Sequence, residues 1–418
     1  MPQTIETTCC ISGGGPAGMM LGFLLARAGI DVTVLEKHAD FLRDFRGDTV
    51  HPSTLQLFHE LGLLDAFLKL PHEEAPTLAG RIGGDVYRIA DFTRLPTRCK
   101  YIALVPQWDL LDFLKEHGAQ YPSFNVHMLT EATDLVEEDG RVAGVRAKTP
   151  DGEIEVRAAL TVGCDGRSST LRARAGFKVK DLGAPLDVLW FRLPTRKGED
   201  QTMGTFAAGA ILVQIFRGDY WQCAYVIAKG SADKVRAEGL PSFRERVSRV
   251  APELSDRVDT LTDWDKQIKL LTVSVDRLQQ WWKPGLICIG DAAHAMSPIG
   301  GVGINLAVQD AVAAANILCE PLSAGVTPEP RYLQRIQKRR MWPTVATQFI
   351  QVGVQNGVIG PALKSGKPLH APFPIRLLGA FPVLQGFPAR VVGLGVRPEH
   401  VHTPERPGAA RPAAQIAS

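Results

Sequence analysis

The spacing of apolar residues predicts a strand at residues 7–12, ending at Gly13-Gly14-Gly15-Pro16. Apolar helix formers then run from Met19 to Ala28, with Gly29 placed to close the helix. Residues 31–35 predict the next strand, with Glu36 at its end. Further on, Leu55, Leu57, Phe58, Leu61 and Leu64 form the stripe of an amphipathic helix, for which Ser53 is the expected cap. Two continuous apolar runs, 160–163 and 285–289, predict buried strands, and 306–318 predicts a helix. Between them, 188–193, 210–216 and 221–228 read as strands, with Gly218-Asp219 as a turn and a helical insert over 231–250. Asp139-Gly140 and Asp151-Gly152 are hairpin turns within 134–163.

Composition narrows the class. The chain has 418 residues, 45% hydrophobic and 22% charged, which excludes a disordered chain and suggests two or three domains at roughly 150 residues each. Forty glycines exceed the background of about 7%, and no collagen period explains them. A net charge of +3 is too balanced for a nucleic-acid surface. Seven cysteines form neither a disulfide framework nor a metal spacing, so no metal and a cytoplasmic, reduced enzyme are expected. The uncharged stretches 7–26 and 344–363 are broken by glycine, proline, Gln348, Gln351 and Gln355, so no transmembrane segment is expected.

Strand, glycine turn, helix, strand and terminal acid is the order that binds a dinucleotide. Gly13 allows the tight turn, Gly15 lets the backbone approach a pyrophosphate, and Gly18 lets helix and strand pack closely. The helix N-terminus offers free N–H groups to phosphate, and Glu36 is placed to accept from a ribose diol. This turn does not choose between NAD and FAD. Two later motifs bear on that choice: Cys164-Asp165-Gly166 after one buried strand, and Gly290-Asp291 after the other. The second runs through Pro298, Gly300, Gly301 and Gly303 into Ile304, Asn305 and a helix, which suits a flat ligand at a helix start.

Taken together, these three motifs resemble those of the group A FAD-dependent monooxygenases, the aromatic hydroxylases of the para-hydroxybenzoate hydroxylase fold. The resemblance covers about residues 5–320. It implies an α/β fold: a Rossmann-type FAD-binding domain, an interleaved antiparallel-sheet substrate domain and a helical C-terminal region. The expected division is 1–76, 100–178 and 281–345 for FAD, and 77–99 and 179–280 for substrate. An apolar region at 346–400 and a disordered tail at 401–418 would follow, without the thioredoxin-like extension of some longer relatives.

By resemblance, Ala17 and Lys37 join the glycine turn and Glu36, and Arg46 contacts the pyrophosphate side of FAD. Gln107 touches the ribityl region, Asp165 organises the loop serving FAD and nicotinamide, and Asp291 binds the ribityl chain. Pro298, Gly301, Gly303, Ile304 and Asn305 form the helix start facing the flavin pyrimidine. The implied cycle uses NADPH or NADH to reduce FAD, and a flavin hydroperoxide then hydroxylates a small aromatic or hydrophobic substrate. No catalytic side chain is assigned.

Alternatives remain open: a flavin-dependent reductase or halogenase on this scaffold, or a flavin-free NAD(P) dehydrogenase. A Trp-x-Trp-x-Ile-Pro signature is missing, and the flavin-free reading leaves Asp165-Gly166 and Gly290-Asp291 unexplained. His294 reads as structural, Trp281 and Trp282 as cover for a sheet edge, and the basic helix at 331–342 as a solvated face. The apolar 370–396 stretch suits a pocket roof, a homodimer contact, peripheral membrane contact or plain core.

Overall fold

The computed structural model describes residues 3–42, 49–199 and 202–406. The chain opens with β1 (Gln3–Ser12), α1 (Pro16–Arg27) and β2 (Val32–Leu35), followed by α2 (Pro52–Glu60). The hairpin β3 (Thr77–Ile82) and β4 (Asp85–Asp91) precedes α3 (Gln107–Gly118) and β5 (Phe124–His127). A meander of β6 (Glu131–Glu138), β7 (Arg141–Thr149) and β8 (Gly152–Gly163) comes next. Then follow β9 (Leu186–Pro194), β10 (Met203–Ala207), β11 (Ala210–Phe216) and β12 (Tyr220–Ala228). After α4 (Gly239–Val250) come β13 (Lys269–Leu271), β14 (Trp282–Lys283) and β15 (Leu286–Cys288). The principal helices thereafter are α5 (Gly303–Ser323), α6 (Pro330–Val354), α7 (Phe373–Ala380) and α8 (Gly386–Gly393).

Two sheets organise these elements. The first runs β14-β15-β8-β1-β2-β5, with β15, β8, β1, β2 and β5 mutually parallel. Its β1 is buried on both faces over residues 9–12, as a central parallel strand must be. Helix α1 is buried on every side, and Met19, Met20, Leu21, Phe23, Leu24 and Leu25 join the core around β1, each contributing roughly 1.5–3 kcal/mol by leaving water. Proline in its first turn and Gly29 at φ +77° after its end fix its limits. The meander of β6 and β7 extends β8 as an antiparallel flank, turned at Asp139-Gly140 where both residues have positive φ.

The second sheet runs β13-β9-β12-β11-β10-β3-β4 and is antiparallel except where β3 joins β10. Its alternating side chains separate two apolar layers. Leu189, Phe191, Leu212, Trp221 and Tyr225 face Phe243 and Val247 of α4. On the other face, Val188, Ile211, Ala224 and Val226 cluster with Ile299 and Ile359. Because β3 and β4 come from early sequence and β9–β13 from later, the chain leaves the first sheet twice to build the second.

Several expectations need correction. Ser53 does not cap α2, which starts at Pro52 after His51. The basic helix is a solvated face only in part: Arg331, Arg335 and Lys338 are exposed, but α6 extends to Val354 and Arg340 is fully buried. Trp281 does not cover an edge; it is fully buried, 5.1 Å from the His294 ring. The expected disordered tail begins as an ordered strap, with Val401 N–H donating to Glu60, Arg27 to the Thr403 carbonyl, and Tyr121 to Glu405. Residues 407–418 lie outside the described residues. The segment Ile299–Ser323 is long and apolar enough to cross a membrane, yet it is mostly buried as the core helix between α1 and α6.

A buried ionic chain ties the C-terminal part to the first sheet. Asp310 on α5 accepts from His294 Nε2 at 2.5 Å, Arg340 Nε at 2.8 Å and Gly290 N–H at 3.1 Å. Arg340 continues to Glu399 at 3.1 Å, and Arg339 also meets Glu399. Burial alone would raise the Asp310 carboxyl, but facing His294 and Arg340 outweigh it and hold it below the usual range. Replacing Arg340→Leu strips the arginine from buried Asp310 and leaves buried Glu399 with Arg339 as its remaining cation. It is expected to cost about 3–5 kcal/mol, read as a lower urea midpoint; an unchanged midpoint would refute the role.

Candidate cofactor site

The register of the first sheet assembles the site. Ser12 pairs with both Leu35 and Gly163, and Gly163 pairs with Cys288, so four strand ends lie side by side. The loops leaving them carry Gly13, Glu36, Asp165 and Asp291. Open α/β sheets bind ligands at this edge.

Gly13 has φ +106°, and a Cβ there would lie 2.4 Å from the Cys164 carbonyl oxygen. A Cβ on Gly18 would lie 2.0 Å from the Gly13 carbonyl oxygen, so the helix start rests directly on the turn. Gly15 differs: a Cβ there would meet nothing within 4 Å. Gly15 also caps α1 without a side-chain hydrogen bond, so the helix N-terminus faces open space with its N–H groups uncapped by side chains. Ala17 is buried beneath this turn, its Cβ 3.0 Å from the Cβ position of Gly290.

Glu36 is buried, and its Oε2 accepts from Gly14 N–H at 3.0 Å while Oε1 accepts from His38 N–H at 3.1 Å. The acid therefore clamps the glycine turn to the end of β2. Each carboxylate oxygen accepts more than one bond, so this clamp does not preclude a diol. Lys37 is exposed beside it, and Arg46 lies outside the described residues.

Asp165 faces inward. It accepts from Ser169 Oγ at 2.5 Å and Leu171 N–H at 3.1 Å, and burial raises its carboxyl above the ordinary value. It shapes its loop through these two bonds. Asp291 is about one-third exposed and accepts from Arg167 Nε at 3.2 Å. Arg172 braces both loops, donating to the Arg167 carbonyl and approaching the Ala292 carbonyl at 3.5 Å and Asp276 at 3.4 Å. No role is assigned to Arg167 or Arg172 from the sequence. The signal was two arginines within seven residues of the Asp-Gly pair.

A second helix N-terminus opens at α5. Val302 caps it without a side-chain bond, and a Cβ on Gly303 would meet nothing within 4 Å. The half-buried Pro298 leads into Gly300 and Gly301, and Gly301 has φ +62° with its Cβ position 2.4 Å from Thr49 Oγ1. Ile304 is buried. The Asn305 side chain is fully engaged: Oδ1 accepts from His51 N–H (2.8 Å) and Thr54 (2.7 Å), and Nδ2 donates to the Thr49 and Gly301 carbonyls. Main-chain N–H groups, not this amide, are what the helix start presents outward. Gln107 opens α3 half-buried, and its side chain has no hydrogen bond among the described residues.

The loop entering α5 is held by three glutamines. Gln351 exchanges bonds with Ser297 and donates to the Ile299 carbonyl, Gln348 donates to the Asp276 and Ala295 carbonyls, and Gln355 donates to Ser297 Oγ. In sequence they only broke an uncharged stretch. Their spacing, 348, 351 and 355, already lay on one helix face. His294, by contrast, is spent on Asp310 in the core.

A flavin dinucleotide fits this donor set. One open helix N-terminus suits an anionic pyrophosphate, and another suits the electron-rich edge of a flat ring. Gly15 and Gly303 leave the room both need. Among the described residues, no cluster of His, Cys, Asp and Glu could hold a metal.

Comparison with known proteins agrees with this geometry. Residues 6–342 match the family described as FAD binding domain. A 6-methylpretetramide 4-monooxygenase from Streptomyces rimosus is 34% identical over 350 residues, covering 83% of each chain. A 12-dehydrotetracycline 5-monooxygenase/anhydrotetracycline 6-monooxygenase of that species is 29% identical, with 72% of this chain matched to 60% of its length. Among solved structures, p-nitrophenol 4-monooxygenase PnpA from Pseudomonas putida DLL-E4 superposes with a TM-score of 0.76 at 21% identity. It covers 94% of this chain and 100% of that one, a likeness of fold.

Two predictions follow from the geometry of the turn and of His51. Gly15→Ala is expected to keep the melting temperature of the ligand-free protein but lose bound flavin on gel filtration. Gly18→Ala, which in an open helix would stabilise, is expected to cost about 1–3 kcal/mol by overpacking. Equal melting temperatures for the two variants would contradict this. His51 is fully buried, its Nδ1 2.8 Å from the Val392 carbonyl, and burial lowers its imidazole from 6.5 to about 4. Above pH 6.5 both folded and unfolded states are neutral there. Below it only the unfolded chain takes the proton, so stability falls by about 1.4 kcal/mol per unit, roughly 3 kcal/mol by pH 4. His51→Gln should narrow the loss of melting temperature between pH 7.5 and 5, and an unchanged loss would overturn this account.

Proposed function

This chain belongs to the FAD binding domain family of flavin-dependent monooxygenases, and from that premise we propose that it hydroxylates a phenolic, polycyclic aromatic substrate. The observation carrying this reading is the pair of uncapped helix N-termini, α1 and α5, open to space at one edge of the parallel sheet. When bound, FAD supplies two-electron reduction by NADPH or NADH and the activation of oxygen. The domain division given by the motifs, with FAD held by 1–76, 100–178 and 281–345, is part of the same reading.

Within it, Gly13 to Gly18 and the start of α1 hold the pyrophosphate, and Glu36 accepts from the adenosine ribose. Asp291 and Gln107 hold the ribityl chain. Arg167 and Arg172 keep the two aspartate loops together, and Arg167 orients the Asp291 carboxylate that would accept from the ribityl hydroxyls. The N–H groups of Gly303, Ile304 and Asn305 would face the flavin pyrimidine edge, where a helix N-terminus favours negative charge. Ile299 packs into the apolar layer of Val188, Ile211, Ala224 and Val226, so the second sheet's face meets the cofactor loop and keeps water from it. A polycyclic substrate suits that face, and the 34% identity to an enzyme named for 6-methylpretetramide supports the choice.

The test is NADPH and NADH oxidation by the purified yellow protein with tetracyclic polyketide phenols and with para-nitrophenol. Acceleration by the polycyclic compounds, with product mass raised by one oxygen, is expected. Stimulation by para-nitrophenol alone would replace the substrate proposal, and oxidation without oxygen insertion would replace the reaction. Asp291→Ala should lower flavin content or the flavin reduction rate at least about tenfold, while wild-type values of both would remove its assigned role.

A further inference from the structure

The C-terminal helices carry an apolar surface with charge of one sign. No residue of α7 is buried. Phe373 is 67% exposed, Phe381 54%, Val383 71% and Phe387 76%. Between Glu329 and Glu399 the sequence has no acidic residue and ten lysines or arginines, in a chain whose net charge is only +3. Five of the ten lie on the first half of α6. Around the apolar residues, Lys364, Lys367, Arg376, Arg390 and Arg397 are exposed and make no ion pair among the described residues.

The elements packed against α7 and α8 do not neutralise them. These are β4 and the turn Phe92–Arg94, which bring Asp85 and Asp91. Asp91 is already held by Thr93 and Arg94, which leaves exposed Asp85 as the one free-facing carboxylate these elements bring among the described residues.

We propose that this face docks on an anionic phospholipid surface, with Phe373, Phe381, Val383 and Phe387 entering the interface and Arg376 and Arg390 meeting the headgroups. Large apolar side chains within a rim of five exposed cations and one exposed carboxylate are what such an interface binds. A second copy of this chain suits the face poorly, because a two-fold contact would set the same cations against one another. The docking face is continuous with the cofactor loop: the Val392 carbonyl of α8 accepts from His51, and Val392 lies 4.0 Å from the Cβ position of Gly300. The proposal stands apart from the identity of the substrate.

The experiment is flotation of the full-length, flavin-loaded protein with vesicles of phosphatidylcholine alone, or with phosphatidylglycerol added. Binding is expected only with phosphatidylglycerol, and it should weaken as ionic strength rises. The triple variant Phe381→Ser, Val383→Ser, Phe387→Ser should bind at least about tenfold more weakly. Arg376→Gln and Arg390→Gln should each lose on the order of fivefold. These positions are exposed, so flavin content and melting temperature serve as folding controls. No flotation at low salt, or flotation unaffected by the triple variant, would overturn the proposal. So would a dimer in sedimentation analysis that the triple variant dissolves, which would assign the face to a second copy.

Discussion

Asp310 is a fully buried carboxylate, and a charge in that position is tolerable only if every partner is in place. Its partners come from separate parts of the chain: Gly290 N–H from a strand end, His294 from the following turn, and Arg340 from α6. Through Arg340 the same network reaches the Arg397 carbonyl and Glu399. One desolvated charge thus ties the Gly290–Asp291 turn, the core helix and the C-terminal strap into a single unit. The cofactor edge inherits its geometry from that unit.

Around the edge, polar side chains are largely used on the protein itself. Glu36 clamps the glycine turn, Asp165 its own loop, Asn305 the segment 49–54, and the glutamines of α6 the loop before α5. What remains outward is main-chain N–H at two helix starts, with glycine where a Cβ would intrude. Such a site suits a large anionic, flat cofactor.

The two sheets divide the remaining work. The parallel sheet aligns four loops because all its strands point the same way at one edge. The antiparallel sheet offers one face to α4 and the other to the loop at Ile299. Leaving the first sheet twice brings the apolar layer of the antiparallel sheet against Ile299, in the loop that enters α5.

Local pattern determined much of this. The run from β1 to Glu36 was legible because its signals are short-range: strand, glycine turn, capped apolar helix, strand and acid fall within about thirty residues. The strands at 210–216 and 221–228 were legible for the same reason, since alternation and turn residues are local. Long-range partnership was not. Nothing near Arg340 in sequence marks it as buried, because its carboxylates lie thirty and fifty-nine residues away. Arg167 and Arg172 were unreadable as braces until the sheet register set Gly163 beside Cys288. The sequence by itself determined which residue types could meet a dinucleotide. Only the tertiary structure decided which side chains are spent on holding the site and which groups still face outward, because burial and hydrogen-bond satisfaction are properties of residues brought together by the fold.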